Sequence, residues 1–193
     1  MRIAIIDYGA GNTQSVKYAL KRLGCEGVLT SDKEVLSSSD KVIFPGVGQA
    51  SSAMSKLKLK GLDVLIPNLK QPVLGICLGM QLMCRFSEEG NTDCLKIFDS
   101  NVKRFKNSLK VPQIGWNNVF DLKTSLFDSI NEHEYMYLVH SYYVPLLTNT
   151  VATSNYGINY STAIKKNNFI GVQFHPEKSG NQGELVLKNF INN

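Results

Sequence analysis

Long apolar runs are missing from this sequence of 193 residues: none approaches the ~18 residues that a membrane-spanning helix needs. The N-terminal M-R-I-A-I-I-D has neither the apolar region nor the small-residue cleavage site of a secretion signal. A cytoplasmic protein with no membrane partner is expected. Cysteine is sparse, and Cys25, Cys77, Cys84 and Cys94 show no C-x-x-C spacing, so four free thiols rather than disulfides are expected. The three histidines, His133, His140 and His175, form no H-x-x-x-H pair, which argues against a metal centre, and no cofactor is expected. The net charge of +5 comes from scattered lysines, with no basic stretch interleaved with aromatics, so nucleic acid is not the expected partner. With 43% hydrophobic and 19% charged residues, the composition excludes disorder and suits a folded globular chain.

Short β-rich runs alternate with helical patterns through the first half. Arg2–Ile6, Val28–Thr30, Lys41–Phe44 and Val73–Ile76 read as strands. Thr13–Leu23, Gln49–Leu59, Leu62–Leu69 and Leu78–Phe86 read as helices, and this order implies a parallel sheet with right-handed crossovers. From about Val102 the pattern changes to aromatic and β-branched runs at Val119–Phe120, Tyr135–Val139, Tyr142–Val144, Thr150–Thr153, Thr162–Ile164 and Phe169–Gln173. These predict a mixed or antiparallel extension closed by a helix from about Gln182 to Ile191. There is no repeat, low-complexity segment or convincing linker, so one α/β domain over residues 1–193 is expected.

The stretch V-L-G-I-C-L-G-M-Q, Val73 to Gln81, places Cys77 between two glycines where a strand meets a helix. This is the form of a nucleophile elbow, in which a tight turn exposes the reactive side chain at a strand end. The glycines leave room for the turn, and a helix starting at Leu78 would direct its positive end toward the sulfur and favour the thiolate. A small buried hydrophobe in a glycine-flanked turn fits the same letters. Q-F-H-P-E, Gln173 to Glu177, favours the nucleophile: His175 and Glu177 stand two apart around a proline, so the carboxylate can orient and charge-stabilise the imidazole. A free cysteine with a distant His–Glu pair matches acyl transfer through a thioester.

The elbow G-I-C-L-G-M-Q and the terminal Q-F-H-P-E-K-S together resemble the class I, triad-type glutamine amidotransferases, whose Cys, His and Glu fall on Cys77, His175 and Glu177. I-I-D-Y-G-A-G-N, F-P-G-V-G, V-P-Q-I-G-W-N and H-S-Y resemble, over essentially the whole chain, the glutaminase subunits of imidazole glycerol phosphate synthase. The resemblance implies a sandwich with a mostly parallel central sheet flanked by helices. It also implies hydrolysis of L-glutamine to glutamate and ammonia. Cys77 would attack the side-chain amide, His175 would protonate the departing ammonia and then activate water, and Glu177 would hold the ring. Leu78 N–H is the natural first oxyanion donor, with Val47 or Gly48 of P-G-V-G as the second. By resemblance, Gln81 and Glu89 line the glutamine pocket with the backbone of Ser141 and Tyr142. Glu89 is then placed to pair with the substrate ammonium, although S-E-E-G also reads as a solvated helix end with Glu88 adjacent.

Ammonia released into water is protonated and lost to a synthase, so a docked acceptor site is implied. The matching family partner is a (β/α)₈ cyclase that uses the ammonia to form imidazole glycerol phosphate and aminoimidazole carboxamide ribotide in histidine biosynthesis. Asn12, Trp116, Asn117 and Lys178 match family positions at that interface; Gln113 stands where family members often carry His. From pattern alone, Trp116 suits either an interface anchor or a half-buried core position. Rival readings are a paralogue feeding another synthase, such as one of surface-sugar biosynthesis, a cysteine peptidase-like hydrolase, and a non-catalytic scaffold.

Overall fold

The computed structural model describes residues 1–106 and 109–193. The first half runs β1 (Ile3–Ile6), α1 (Thr13–Arg22), β2 (Gly27–Thr30), α2 (Lys33–Ser38), β3 (Lys41–Gly46), α3 (Ala50–Leu59), α4 (Leu62–Leu65), β4 (Val73–Cys77) and α5 (Leu78–Leu82). The chain continues through β5 (Cys84–Ser87), β6 (Thr92–Asp93), β7 (Phe98–Arg104), β8 (Gln113–Asn118), β9 (Tyr135–His140) and β10 (Tyr142–Tyr143). It ends with β11 (Thr150–Asn155), β12 (Asn159–Lys166), β13 (Phe169–Val172) and α6 (Gly180–Asn192).

A seven-stranded sheet in the order β11-β12-β13-β4-β3-β1-β2 organises the molecule. Its β13-β4-β3-β1-β2 part is parallel, whereas β11, β12 and β13 pair antiparallel, as the change of pattern in the second half predicts. The parallel strands β1, β3 and β4 are buried along their whole length, which is why they read as continuous apolar runs. Strand alternation splits β1 between two cores. Ala4 and Ile6 pack with Phe44, Leu57 and Leu62 on one face, and Ile3 and Ile5 pack with Leu20, Val172 and Phe190 on the other. In α1 the buried Val16, Ala19 and Leu20 share one helical face, and Lys21 and Arg22 sit favourably at the carbonyl end.

The structure departs from expectation in places. The helix expected over Leu78–Phe86 stops at Leu82, and Cys84–Ser87 becomes β5, pairing parallel with β7 and antiparallel with β6 in a second sheet of order β10-β7-β5-β6. In C-R-F-S, Cys84 and Ser87 are buried and Arg85 is exposed, a spacing that local pattern reads as helix, and pairing with β6 and β7 overrides the helical continuation. Val119–Phe120 forms no strand and contributes only a bridge from Phe120 to Thr153. Leu62–Leu69 is one short helix followed by a 3₁₀ turn at Ile66–Asn68, where Pro67 ends regular bonding. Helix α2 was not expected. Its Asp32 cap accepts from Glu34 N at 2.8 Å and Val35 N at 3.1 Å.

Candidate active site

Strands β3, β4 and β13 run parallel side by side, with Gly46 opposite Cys77 and Val172 opposite Ile76, so the segments after all three leave the sheet at one edge. Crevices at the carboxyl ends of parallel strands are the usual ligand sites of such sheets. Here that edge holds a cavity of about 330 Å³ lined by Val47, Gly48, Cys77, Leu78, Gln81, Glu89, Ser141, Tyr142, His175 and Lys178, among others. The residues expected for nucleophile, base, oxyanion donors and glutamine binding are therefore brought together, with Glu177 directly behind His175.

Cys77 has φ 53° and ψ −109°, a conformation in which non-glycine residues are strained and which turns the thiol out of the strand. The turn closes so tightly that a Cβ on Gly79 would come within 2.0 Å of Phe44 O. Helix α5 has five residues, shorter than expected, so the sulfur's polar surroundings matter more than a helix dipole. Cys77 Sγ donates to Val139 O at 3.8 Å and receives Gln173 Nε2 at 3.6 Å, and the sulfur lies close enough to the His175 ring to raise its pKa.

His175 follows β13 and is fixed from several sides. Its peptide N–H donates to Tyr137 O at 2.9 Å, and its carbonyl accepts from Ser179 Oγ at 2.7 Å. Ser179 Oγ in turn accepts from Tyr137 N at 2.9 Å, which ties the His175 turn to β9. Nδ1 meets Glu177 Oε1 at 2.8 Å, and both side chains are buried. Burial alone would pull the imidazole pKa down, but the bonds and charges of Cys77 and Glu177 outweigh it and hold the group above the ordinary histidine range. With Nδ1 committed to the carboxylate, Nε2 is the nitrogen left for the sulfur and for proton transfer.

The pocket wall separates the two neighbouring glutamates. Glu89 faces the cavity with Oε2 accepting from Ala50 N at 2.8 Å at the start of α3, whereas Glu88 is taken by Arg104 N at 2.8 Å. Burial raises the Glu89 carboxyl pKa, opposed by the Ala50 bond. Gln81 Nε2 donates to Tyr142 O and to Gln173 Oε1, both at 2.9 Å. Ser141 O accepts from Phe105 N at 3.1 Å, anchoring the strap that carries Ser141 and Tyr142. His140 also lines the cavity, with Nδ1 on Tyr142 O at 2.7 Å and Nε2 3.4 Å from Tyr160 Oη.

Trp116 is 55% exposed, so it is not a core residue; its ring meets Tyr137 edge to face with centroids 5.9 Å apart. Lys178 Nζ stands 6.0 Å above the same Tyr137 ring, making Trp116, Tyr137 and Lys178 one surface beside the pocket mouth. Asn117 Nδ2 donates to Asn155 O at 2.8 Å, and Asn12 sits at the start of α1 without a side-chain capping bond. Sequence reasoning assigned no role to Gln173, His140 or Tyr137. Strand alternation was a usable signal for the first, since it places Gln173 and His175 on one side of the chain with Phe174 on the other.

The model of the family described as glutamine amidotransferase class-I matches residues 4–193. Imidazole glycerol phosphate synthase subunit HisH of Bacteroides fragilis is 59% identical to the chain over 99% of each sequence, and the protein of the same name from Haemophilus influenzae is 51% identical over 99% of this chain and 97% of its own. Among solved structures, a glutamine amidotransferase from Thermotoga maritima superposes with a TM-score of 0.65 at 20% identity, covering 100% of this chain and 81% of that one. The last likeness shows the fold alone. Together with the family match and full-length identity, the chain belongs to the class I glutamine amidotransferases, in the group of imidazole glycerol phosphate synthase subunit HisH.

Proposed function

We propose that residues 1–193 act as one glutaminase domain that hydrolyses L-glutamine to glutamate and ammonia through a Cys77-His175-Glu177 triad. The observation that carries this reading is the buried His175–Glu177 pair, which shares with a thiol on a strained elbow one cavity large enough for an amino acid. Cys77 gives its proton to His175 and attacks the amide carbon. His175 then protonates the departing ammonia, leaving a thioester. Water activated by His175 attacks the thioester, and sulfur leaves as glutamate forms. Glu177 keeps the ring in the tautomer that both steps need.

Leu78 N–H and one N–H of the Val47–Gly48 turn are the proposed oxyanion donors; Gly48 has φ +95° and adjoins the cavity, which suits a backbone that presents donors. Glu89 is proposed to receive the substrate ammonium, with Gln81 and the Ser141–Tyr142 backbone orienting the rest. The ammonia passes to a cyclase partner docked on the face bearing Asn12, Trp116, Asn117 and Lys178, in the cytoplasmic synthesis of imidazole glycerol phosphate. The names of relatives identical at 51–59% over the full chain support that partner. The test mixes purified chain, the cyclase of the same organism and glutamine. Glutamate release that rises when the cyclase substrate is added supports the reading, and no release in any combination contradicts it.

A further inference from the structure

One backbone oxygen sets the polarity of a row of buried side chains that ends at the nucleophile. Tyr142 O takes His140 Nδ1 at 2.7 Å and Gln81 Nε2 at 2.9 Å. A carbonyl oxygen only accepts, so the amide nitrogen of Gln81 must be the atom facing it, and the His140 proton must sit on Nδ1. The same Gln81 nitrogen lies 2.9 Å from Gln173 Oε1, which leaves Gln173 Nε2 as the atom 3.6 Å from Cys77 Sγ. Gln173 is 0% exposed, so no water can take its place, and its peptide N–H holds Thr162 O at 2.8 Å on β12.

We propose that Gln173 is a catalytic residue of this glutaminase, donating Nε2–H to Cys77 Sγ and stabilising the sulfur anion each time it forms; the inference rests on the glutamine-hydrolysis reading. The anion arises twice. It forms first when the S–H proton moves to His175, before the C–S bond is made and the C–N bond broken. It forms again when water's oxygen bonds to the acyl carbon, the C–S bond breaks and the electron pair returns to sulfur. Between these moments His175 must turn its proton toward ammonia and then take one from water, so it cannot serve the sulfur throughout. Gln173 has no proton to trade and can. Val139 O, 3.8 Å from the sulfur, favours the protonated thiol, and the Gln173 donor opposes it. The row also commits both N–H groups of Gln81, so Gln81 offers glutamine only its Oε1, an acceptor.

The test uses Gln173→Met, which keeps length and removes the donor, and Gln173→Glu, which keeps the shape and the acceptor toward Gln81 but puts an oxygen against sulfur. Iodoacetamide alkylation of Cys77, followed on its own peptide because Cys25 is partly exposed, reports thiolate reactivity without glutamine. Glutamine turnover is measured in the complex with the cyclase. Both variants are expected to slow alkylation at neutral pH by about tenfold or more and to lower kcat similarly, with KM within about twofold. Wild-type alkylation and kcat in either folded variant overturns the proposal, as does a raised KM with both unchanged, which marks a purely structural role through Gln81. If Gln173→Met does not fold, the isosteric Gln173→Glu decides. Absence of glutamine turnover in the wild-type complex refutes the functional reading instead, while the alkylation comparison still reports on the Gln173 donor.

Discussion

Acid should weaken this fold through His140 in a defined window. Burial is the main cause that lowers the folded imidazole to about 4; the Tyr142 bond opposes it and the His175 charge adds to it. In the unfolded chain the same ring titrates near the ordinary value of about 6.5. Above about pH 7 both states are neutral, and the group does not affect stability. Below about pH 6.5 the unfolded chain binds a proton that the folded chain refuses, so stability falls as pH drops toward 4. At about 1.4 kcal/mol per pH unit the full effect is about 3 kcal/mol, of which about 2 kcal/mol is gone by pH 5. His175 titrates with the opposite sign, so the comparison needs a reference that keeps it. His140→Asn serves, because the Asn amide nitrogen stands where Nδ1 does and still donates to Tyr142 O. Urea unfolding at pH 7 and pH 5 should show the wild type losing about 2 kcal/mol more than His140→Asn. Parallel losses, or a His140 ring-proton NMR signal that titrates near 6.5, would refute the reasoning.

Trp116→Ala should raise the cyclase Kd by about thirtyfold, the scale of an aromatic hot spot, while costing the free chain less than about 1 kcal/mol because the ring is already 55% exposed. Titration calorimetry beside thermal unfolding checks both, and a strongly destabilised free chain with unchanged binding contradicts it. Glu177→Gln should lose activity substantially but less than His175→Ala, since the base remains while its orientation and charge support weaken. Single-turnover thioester formation at the wild-type rate in Glu177→Gln would remove Glu177 from the mechanism.

The parallel strands β1, β3 and β4 were legible in the sequence because burial on both faces gives short continuous apolar runs, I-A-I-I and V-L-G-I among them, too short for a typical helix. The end of α5 was not. C-R-F-S is compatible with both a helix and a strand, and its partner β7 lies beyond a loop that local pattern does not see. Strand β8 turns Ile114 and Trp116 outward and Gln113 inward, the reverse of the apolar-in alternation by which a half-buried strand is recognised, and it pairs with β9. At the site, the proposed triad rests on two short motifs, whose residues the fold brings to one cavity. Glu89 was assigned by resemblance to the family, and what distinguishes it physically from Glu88, the bonds to Ala50 N and Arg104 N, comes from residues distant in the sequence. The role of Gln173 depended on which end of an amide faces the sulfur, and that is set by a carbonyl on another strand.

In the proposed reaction Cys77 carries the glutamyl group during turnover. The most direct measurement is mass spectrometry of the peptide containing Cys77 after rapid acid quench of the cyclase complex turning over glutamine. A glutamyl thioester on Cys77 in the wild type is expected. In Cys77→Ala, adduct and glutamate release should both be absent, while added ammonia restores the coupled synthase reaction. Glutamate release at the wild-type rate from Cys77→Ala, or a glutamyl adduct on a different residue, would contradict the account.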